Sequence, residues 1–222
     1  MASRLRIRHF EEALKMTSES FHNANVIDFG CADGPFLPSL SKYFNHVVGI
    51  DNNPAFIKIS AKVVETMHLN NVKLIGNDNL TFDAVKSRIA GEKYQILFLL
   101  ETLEHVGDKS ALWESRVKFI RELFSLLDEK GIIILSVPIM VGASFFLQRL
   151  GFLLLNVKSQ EKVSTTDLFK ASLLNDTTNL EKMWHGGHLG FNHKKLERYL
   201  KKNFKILEKK NITFQVIYKL AR

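Results

Sequence analysis

Apolar runs of strand length alternate along the chain with longer segments of amphipathic, helix-like spacing. The runs are Val26-Ile27-Asp28-Phe29, Val47-Val48-Gly49-Ile50, Val72-Lys73-Leu74-Ile75, Tyr94 to Leu100 and Gly131 to Pro138. Among the longer segments, Trp113, Val117, Ile120, Leu123, Phe124 and Leu127 keep clean i, i+3, i+4 spacing, and that helix is expected to stop at Lys130-Gly131. Phe204 to Lys209 and Ile212 to Leu220 read as two closing strands joined by a short turn. Asn192 reads as the N-cap of a helix carrying Leu196, Tyr199 and Leu200. This alternation predicts an α/β fold with a mostly parallel sheet covered on both faces.

One stretch departs from that rhythm. Ile139 to Leu155 is almost entirely apolar and approaches the ~20 residues that span a bilayer. Arg149 would then lie near mid-membrane, at a cost of roughly 2.5–3.5 kcal/mol, and a spanning helix would tear the sheet apart, so a transmembrane reading fails. Two readings stand: a lid helix buried over the active site, which is the default, or peripheral membrane contact through residues 139–157. Val163 to Asn179 is rich in Ser, Thr, Asn and Asp and reads as a loop. The chain is expected to form a single domain over residues 1–222, with a core of about 20–140 and 193–222 and an insert of about 139–192.

The candidate chemistry gathers at the strand ends. The first run leads into Asp28-Phe29-Gly30-Cys31-Ala32-Asp33-Gly34, small residues at every second position, and the second run ends on Asp51. Such a turn lets backbone approach a ligand, while the acid accepts hydrogen bonds from ribose hydroxyls. The dinucleotide fingerprint G-x-G-x-x-G fails, because its last glycine would fall on Pro35.

Asp28-x-Gly30-x-Ala32-x-Gly34 resembles motif I of the class I S-adenosylmethionine methyltransferases, with alanine in place of the middle glycine. Further matches follow in order: Ile50-Asp51-Asn52-Asn53-Pro54, Val72 to Leu80, and Leu100-Glu101-Thr102-Leu103-Glu104-His105-Val106, which is similar to the LE-x-LEHV motif of the ubiquinone and menaquinone-type methyltransferases. The resemblance covers residues 20–140 well and the remainder loosely. It implies a Rossmann-like, seven-stranded, mostly parallel sheet with an antiparallel last strand, helices on both faces and a helical lid insert after strand five. It also implies S-adenosyl-L-methionine as cofactor. The residues expected around that cofactor are Asp28, Phe29, Gly30, Cys31, Gly34, Asp51, Asn52, Asp78, Asn79, Leu80 and Glu101, with Asp78 in the place that commonly meets the adenine amino group.

Bulk properties set bounds on this. At 222 residues the chain suits one α/β domain, and its lone cysteine, Cys31, excludes an internal disulfide and suits a reducing cytoplasm. Met1 to Phe10 carries Arg4, Arg6 and Arg8 but no long apolar run, so no secretory signal is expected. The net charge is +8, and from His193 to Arg222 ten Lys or Arg residues face only Glu197 and Glu208. A solvated helix face is the default for that tail; a surface for anionic lipid, at the inner face of a membrane, or for nucleic acid is the sharper alternative.

Methyl transfer to a hydroxyl or a carbon acid needs a base, and histidine suits the task. His105 and His188, the latter in the turn His185-Gly186-Gly187-His188, are the catalytic candidates. His185, His188 and His193 match no metal-ligand spacing, and no metal is expected. A small-molecule acceptor, lipid-like or saccharide, is the leading expectation. Nucleic acid is disfavoured, since an Asn/Asp-Pro-Pro-aromatic motif is replaced by Leu100-Glu101-Thr102-Leu103. RNA methylation and a catalytically silent binding scaffold remain the alternatives. The oligomeric state leaves no mark in the sequence.

Overall fold

Five parallel strands, β1 (Asn25–Phe29), β2 (His46–Ile50), β3 (Val72–Ile75), β4 (Ile96–Leu100) and β5 (Ile132–Pro138), pair in the computed structural model. The structure describes residues 2–17, 23–76, 80–154 and 163–222. With β6 (Lys205–Ile212) and β7 (Gln215–Ala221), the sheet has seven strands in the order β3-β2-β1-β4-β5-β7-β6. The last strand, β7, runs antiparallel to both of its neighbours, with Leu135 opposite Tyr218 on one side and Lys209 opposite Tyr218 on the other.

Side-chain alternation divides each strand between two cores. Ile27, Val48, Leu97, Leu99, Ile133 and Leu135 face one side, with Val117, Ile120 and Leu123 of α5 (Leu112–Phe124) and Leu196 and Leu200 of α9 (His193–Asn203). Val26, Val47, Ile96, Phe98, Ile132 and Ile134 face the other, with Ala13 of α1 (Ala2–Lys15) and Leu37 and Leu40 of α2 (Leu37–Tyr43). Caps place the helices. Asn53 accepts a hydrogen bond from the Ala55 amide at 2.9 Å, and Pro54 opens α3 (Pro54–Thr66). Asn192 accepts from the Lys195 amide at 3.0 Å and starts α9, as its position predicts. The short α4 (Phe82–Arg88) is capped by Thr81.

Three expectations change. Helix α5 ends at Phe124 rather than Lys130: the Ser125 hydroxyl bonds back to Glu122 O, and Leu126 and Leu127 continue the apolar stripe from a turn. The polar stretch read as a loop contains α7 (Thr165–Phe169), capped by Ser164, a π-helical turn Lys170–Leu174 and the start of α8 (Thr178–Lys182). The apolar insert does form a helix, α6 (Ala143–Leu154), but it is only partly covered. Phe145 is buried, whereas Phe146 and Leu147 are exposed. No helix among the described residues is long and apolar enough to cross a membrane.

The strand order brings β1 and β4 together, and the connections leaving them run in opposite directions. The crevice outside their carboxyl ends is where open α/β sheets take their ligands. Gly76, just past β3, guards one wall of it: a β-carbon there would overlap the Asp51 carbonyl oxygen and the Ile57 side chain. Gly76→Ala is therefore expected to cost about 1–3 kcal/mol through overpacking. A thermal melt checks this; an unchanged midpoint would mean that the Asp51 backbone yields freely.

Candidate functional site

The turn after β1 takes three left-handed residues at alternate positions, Gly30 (φ +82°), Ala32 (φ +47°) and Gly34 (φ +79°). Glycine suits that backbone, and Ala32 holds it against its own side chain. Several bonds pin the turn to the end of β2. The Gly30 and Cys31 amides both donate to Ile50 O, at 2.7 and 3.0 Å. The Asp51 carboxylate accepts from the Ala32 amide at 2.9 Å and from the Asn53 amide at 2.8 Å. Ala32 O in turn accepts from the Ser60 hydroxyl at 2.7 Å.

Two cavities open off this turn. The larger, about 580 Å³, is lined by Asp51 and Asn52 and walled by Phe29, Ile50, Phe56, Leu80, Phe82 and Phe119. A planar base between apolar walls, with its ribose on Asp51, fits that lining. The smaller, about 300 Å³, has an acidic wall of Asp28, Asp33 and Glu101, together with Cys31, His9, His105 and His188. Gly30, Ala32, Glu101 and His105 border both cavities, so a single elongated ligand can lie across them.

The electrostatics of the junction favour a cation. Asp28 is 3% exposed, and burial followed by the neighbouring Asp51 carboxylate pushes its carboxyl up to about 7. Its Oδ2 has no hydrogen-bond partner among the described residues. Glu101 stands at the end of β4 in a left-handed conformation (φ +50°), unusual for a residue with a side chain. Its amide donates to the carbonyl and hydroxyl oxygens of Ser136, and its carboxylate accepts from the Gln215 amide group. Such a wall suits the sulfonium and ammonium groups of S-adenosylmethionine and opposes a dinucleotide's pyrophosphate. The residues present thus fit that cofactor.

The expected site residues fall out as follows. Phe29, Gly30, Asp51, Asn52, Leu80 and Glu101 line the larger cavity, and Asp28 and Cys31 the smaller. Burial pushes the Cys31 thiol far up, so it packs rather than reacts. Gly34 lines neither cavity: a β-carbon there would sit 3.1 Å from Leu37 Cδ1 and Ser60 Oγ, which makes it a packing position. Asp78 and Asn79 lie outside the described residues.

His105 and His188 come together from distant segments, with ring centroids 4.9 Å apart. His105 Nδ1 lies 2.5 Å from Gly186 O, so this nitrogen donates to the carbonyl and Nε2 is the atom left to the cavity. Glu104, one residue earlier, is fully buried, and neither of its carboxylate oxygens makes a hydrogen bond among the described residues. His188 Nδ1 lies 3.4 Å from Glu104 Oε1, an ion-pair separation. Among the described residues Glu104, His105 and His188 form the one group of three donors able to hold a metal ion, their ligand atoms all within 4.8 Å of one another. His185 and His193, considered with His188 on spacing, are not part of it.

What holds these segments together was not visible in the sequence. Arg116 is fully buried and donates from Nε to Val106 O (3.0 Å) and from Nη2 to Glu104 O (3.2 Å). Its guanidinium lies 4.8 Å from the ring centroids of Trp113 and Phe191 and 5.5 Å from that of Trp184. Trp184 Nε1 donates to both Glu104 O and Gly187 O, tying the His185–His188 turn to the Glu104 segment. Two roles were also missed. In the sequence Glu104 stood out only as a member of the motif after strand four, and His9, on α1, gave no signal at all.

The family described as Methyltransferase domain matches residues 2–176. The chain belongs to the methyltransferase-domain family. Its motif I turn and the lining of its two cavities are compatible with that family's cofactor, S-adenosylmethionine. Among curated proteins it is similar to EEF1A lysine methyltransferase 2 of Homo sapiens, 28% identical over 116 residues, which are 51% of this chain and 47% of that protein. The mouse protein gives the same identity over 46% of its length, so the chain's match spans about half of these curated relatives.

Solved structures share the fold. A magnesium protoporphyrin IX methyltransferase from Synechocystis, determined with SAH bound, is 17% identical, with a TM-score of 0.61 over 98% of this chain and 85% of its own. The PH0226 protein of Pyrococcus horikoshii is 15% identical, with a TM-score of 0.64 over 99% and 90%. The N-methyltransferase NodS of Bradyrhizobium japonicum with SAH is 12% identical, with a TM-score of 0.60 over 97% and 86%.

The buried acid of this methyltransferase gives a pH prediction. Burial first, and then Glu101, raise the Glu104 carboxyl from the usual 4.5 to about 8. The folded protein therefore holds this proton more tightly than the unfolded chain, and the associated stability is lost as pH rises from 4.5 to 8. Glu104→Gln escapes that loss. Its melting temperature relative to wild type is expected to climb across the window, and a difference that stays flat with pH contradicts the placement of Glu104.

Proposed function

We propose that the protein transfers the methyl group of S-adenosylmethionine to a hydroxyl oxygen of a small-molecule acceptor. The observation that carries this reading is the convergence of Glu104, His105 and His188 beside the junction of the two cavities. An amine needs only alignment once neutral, whereas a hydroxyl must lose a proton as it attacks, and a carboxylate with two imidazoles is more than an amine acceptor requires. The relatives, which include a lysine methyltransferase, leave the acceptor open.

When bound, S-adenosylmethionine supplies an electrophilic methyl group on a sulfonium. Asp51 accepts hydrogen bonds from the ribose hydroxyls while it keeps hold of the Ala32 amide, and Phe29, Phe56 and Phe82 confine the base. The acid-walled cavity orients the sulfonium end. His105, fixed by Gly186 O at Nδ1, takes the acceptor proton on Nε2, and the neighbouring His188 and Glu104 stabilise the imidazolium that forms.

A second reading concerns how the hydroxyl is activated. The clustered ligand atoms of Glu104, His105 and His188 also suit a divalent first-row metal, with His105 Nδ1 braced by Gly186 O. It revises the expectation of no metal. Those three side chains would hold such an ion, and it would supply a Lewis acid for the acceptor oxygen.

Calorimetry with S-adenosylhomocysteine tests the cofactor placement. Asp51→Ala should weaken binding at least about tenfold, on the order of 1.4 kcal/mol, and unchanged affinity would sink the placement.

Methyl-labelled cofactor incubated with fractionated cell extract tests the acceptor. Label is expected in low-mass O-methyl products; label in protein or RNA would overturn the small-molecule reading. His105→Ala should lower turnover about 10²–10⁴-fold and leave S-adenosylhomocysteine affinity nearly untouched. Chelation followed by metal add-back separates the two activations: activity that survives metal removal favours the histidine base alone.

A further inference from the structure

His9 is 2% exposed on α1 and lines the smaller cavity beside the β1 turn and Glu101. Neither of its ring nitrogens has a hydrogen-bond partner among the described residues. Burying an imidazole in this state is costly, and such groups persist where something else completes them. The ring is not loosely placed. Phe10 stacks on Phe36 at 4.5 Å, Ala13 and Met16 are buried in the core, and Glu12 pairs with Lys15 at 2.9 Å and with Lys210 of β6. These anchors, which follow His9 along α1, hold it over the cavity.

The rest of the lining says what would complete it. Asp28, Asp33 and Glu101 make the wall acidic, which suits an ammonium and repels a carboxylate. The other two histidines there are engaged, His105 with Gly186 O and His188 with Glu104. His9 is the remaining ring able to donate. Burial lowers its pKa, so the ring is neutral and keeps an N–H to give.

We infer that His9 is the carboxylate-binding residue for the amino-acid end of the cofactor, whose ammonium group meets the acidic wall. This rests on the S-adenosylmethionine reading above. It makes α1 part of the cofactor site and divides the zwitterion between two elements, its positive group toward β1 and β4 and its negative group toward α1.

The test compares two ligands by calorimetry. S-Adenosylhomocysteine has the nucleoside and the amino-acid end; 5′-methylthioadenosine keeps the nucleoside thioether and lacks the amino acid. His9→Phe preserves a ring and removes both nitrogens. It is expected to weaken S-adenosylhomocysteine about 10–100-fold, the range for a hydrogen bond to a charged group, and to change 5′-methylthioadenosine less than about twofold. His9→Asn, which keeps a donor, should recover part of the loss. Equal weakening of both ligands, or no weakening of either, overturns the assignment.

A thermal melt of the ligand-free variants adds an independent readout. Removing an unpartnered buried imidazole should leave the midpoint unchanged or raise it. A clearly lower midpoint together with an unchanged ligand ratio makes His9 a core residue and overturns the proposal. If His9→Phe does not fold, the ligand ratio in His9→Asn and His9→Gln decides, since a donor retained on a shorter or longer arm should give intermediate losses confined to S-adenosylhomocysteine. Wild-type protein that binds neither ligand would instead refute the cofactor reading itself.

Discussion

At the carboxyl end of β1 the Gly30 backbone passes so near the Thr102 side chain that no β-carbon would fit between them. That approach is a consequence of strand order. Because β1 and β4 are neighbours and their connections diverge, both strand ends must share one narrow opening. Everything the site needs is delivered there: the turn with its three left-handed residues, Asp51 from β2, and the strained Glu101 from β4. Asp51 serves two ends at once. The carboxylate that faces the larger cavity also ties the Ala32 amide, so the ligand's partner and the turn's anchor are one group.

Charge is distributed in the opening with the same economy. Asp28 and Glu104 are held at pKa values far above those of exposed acids, chiefly by loss of water. A carboxyl in that state is stabilised by a proton or by a nearby cation, and a ligand bearing positive charge supplies the second without requiring the first. The acidic lining is therefore unfavourable when the protein stands alone and complementary to a sulfonium and an ammonium. The larger cavity has a wall of Phe29, Ile50, Phe56, Leu80, Phe82 and Phe119 beside Asp51, and that wall is suited to the uncharged part of the same ligand.

Much of this was legible because a parallel sheet covered on both faces writes itself as unbroken apolar runs. Val26 to Phe29 and Tyr94 to Leu100 show it, and the acids that end or follow such runs are positioned by topology alone. Where the reading slipped, local chemistry competed with periodicity. Leu126 and Leu127 prolong the stripe of α5 from a turn, so the helix looked longer than it is. Thr165–Phe169 and Thr178–Lys182 are five-residue helices, set by the Ser164 cap and by the Asp176 side chain bonding to Thr178, and too short to display a period. The pairing of Glu104 with His188, like the arrival of His9 at the cavity, depends on how separate segments pack and leaves no spacing to read.

Arg116 explains why that packing is exact enough to be useful. A buried guanidinium is expensive unless its surroundings answer it. Here three aromatic faces surround it, and Nε and Nη2 donate to the carbonyls of Val106 and Glu104, the segment that presents His105, while Nη1 has no hydrogen-bond partner among the described residues. Burial lowers its pKa only to about 10, so it remains a cation at neutral pH and limits how far the Glu104 carboxyl is raised. An apolar residue of similar size could fill the space but could not hold those carbonyls. Trp184 completes the arrangement from the other side, one N–H shared between Glu104 O and Gly187 O. The two histidines can meet because a charge with no role at the cavity is buried behind them.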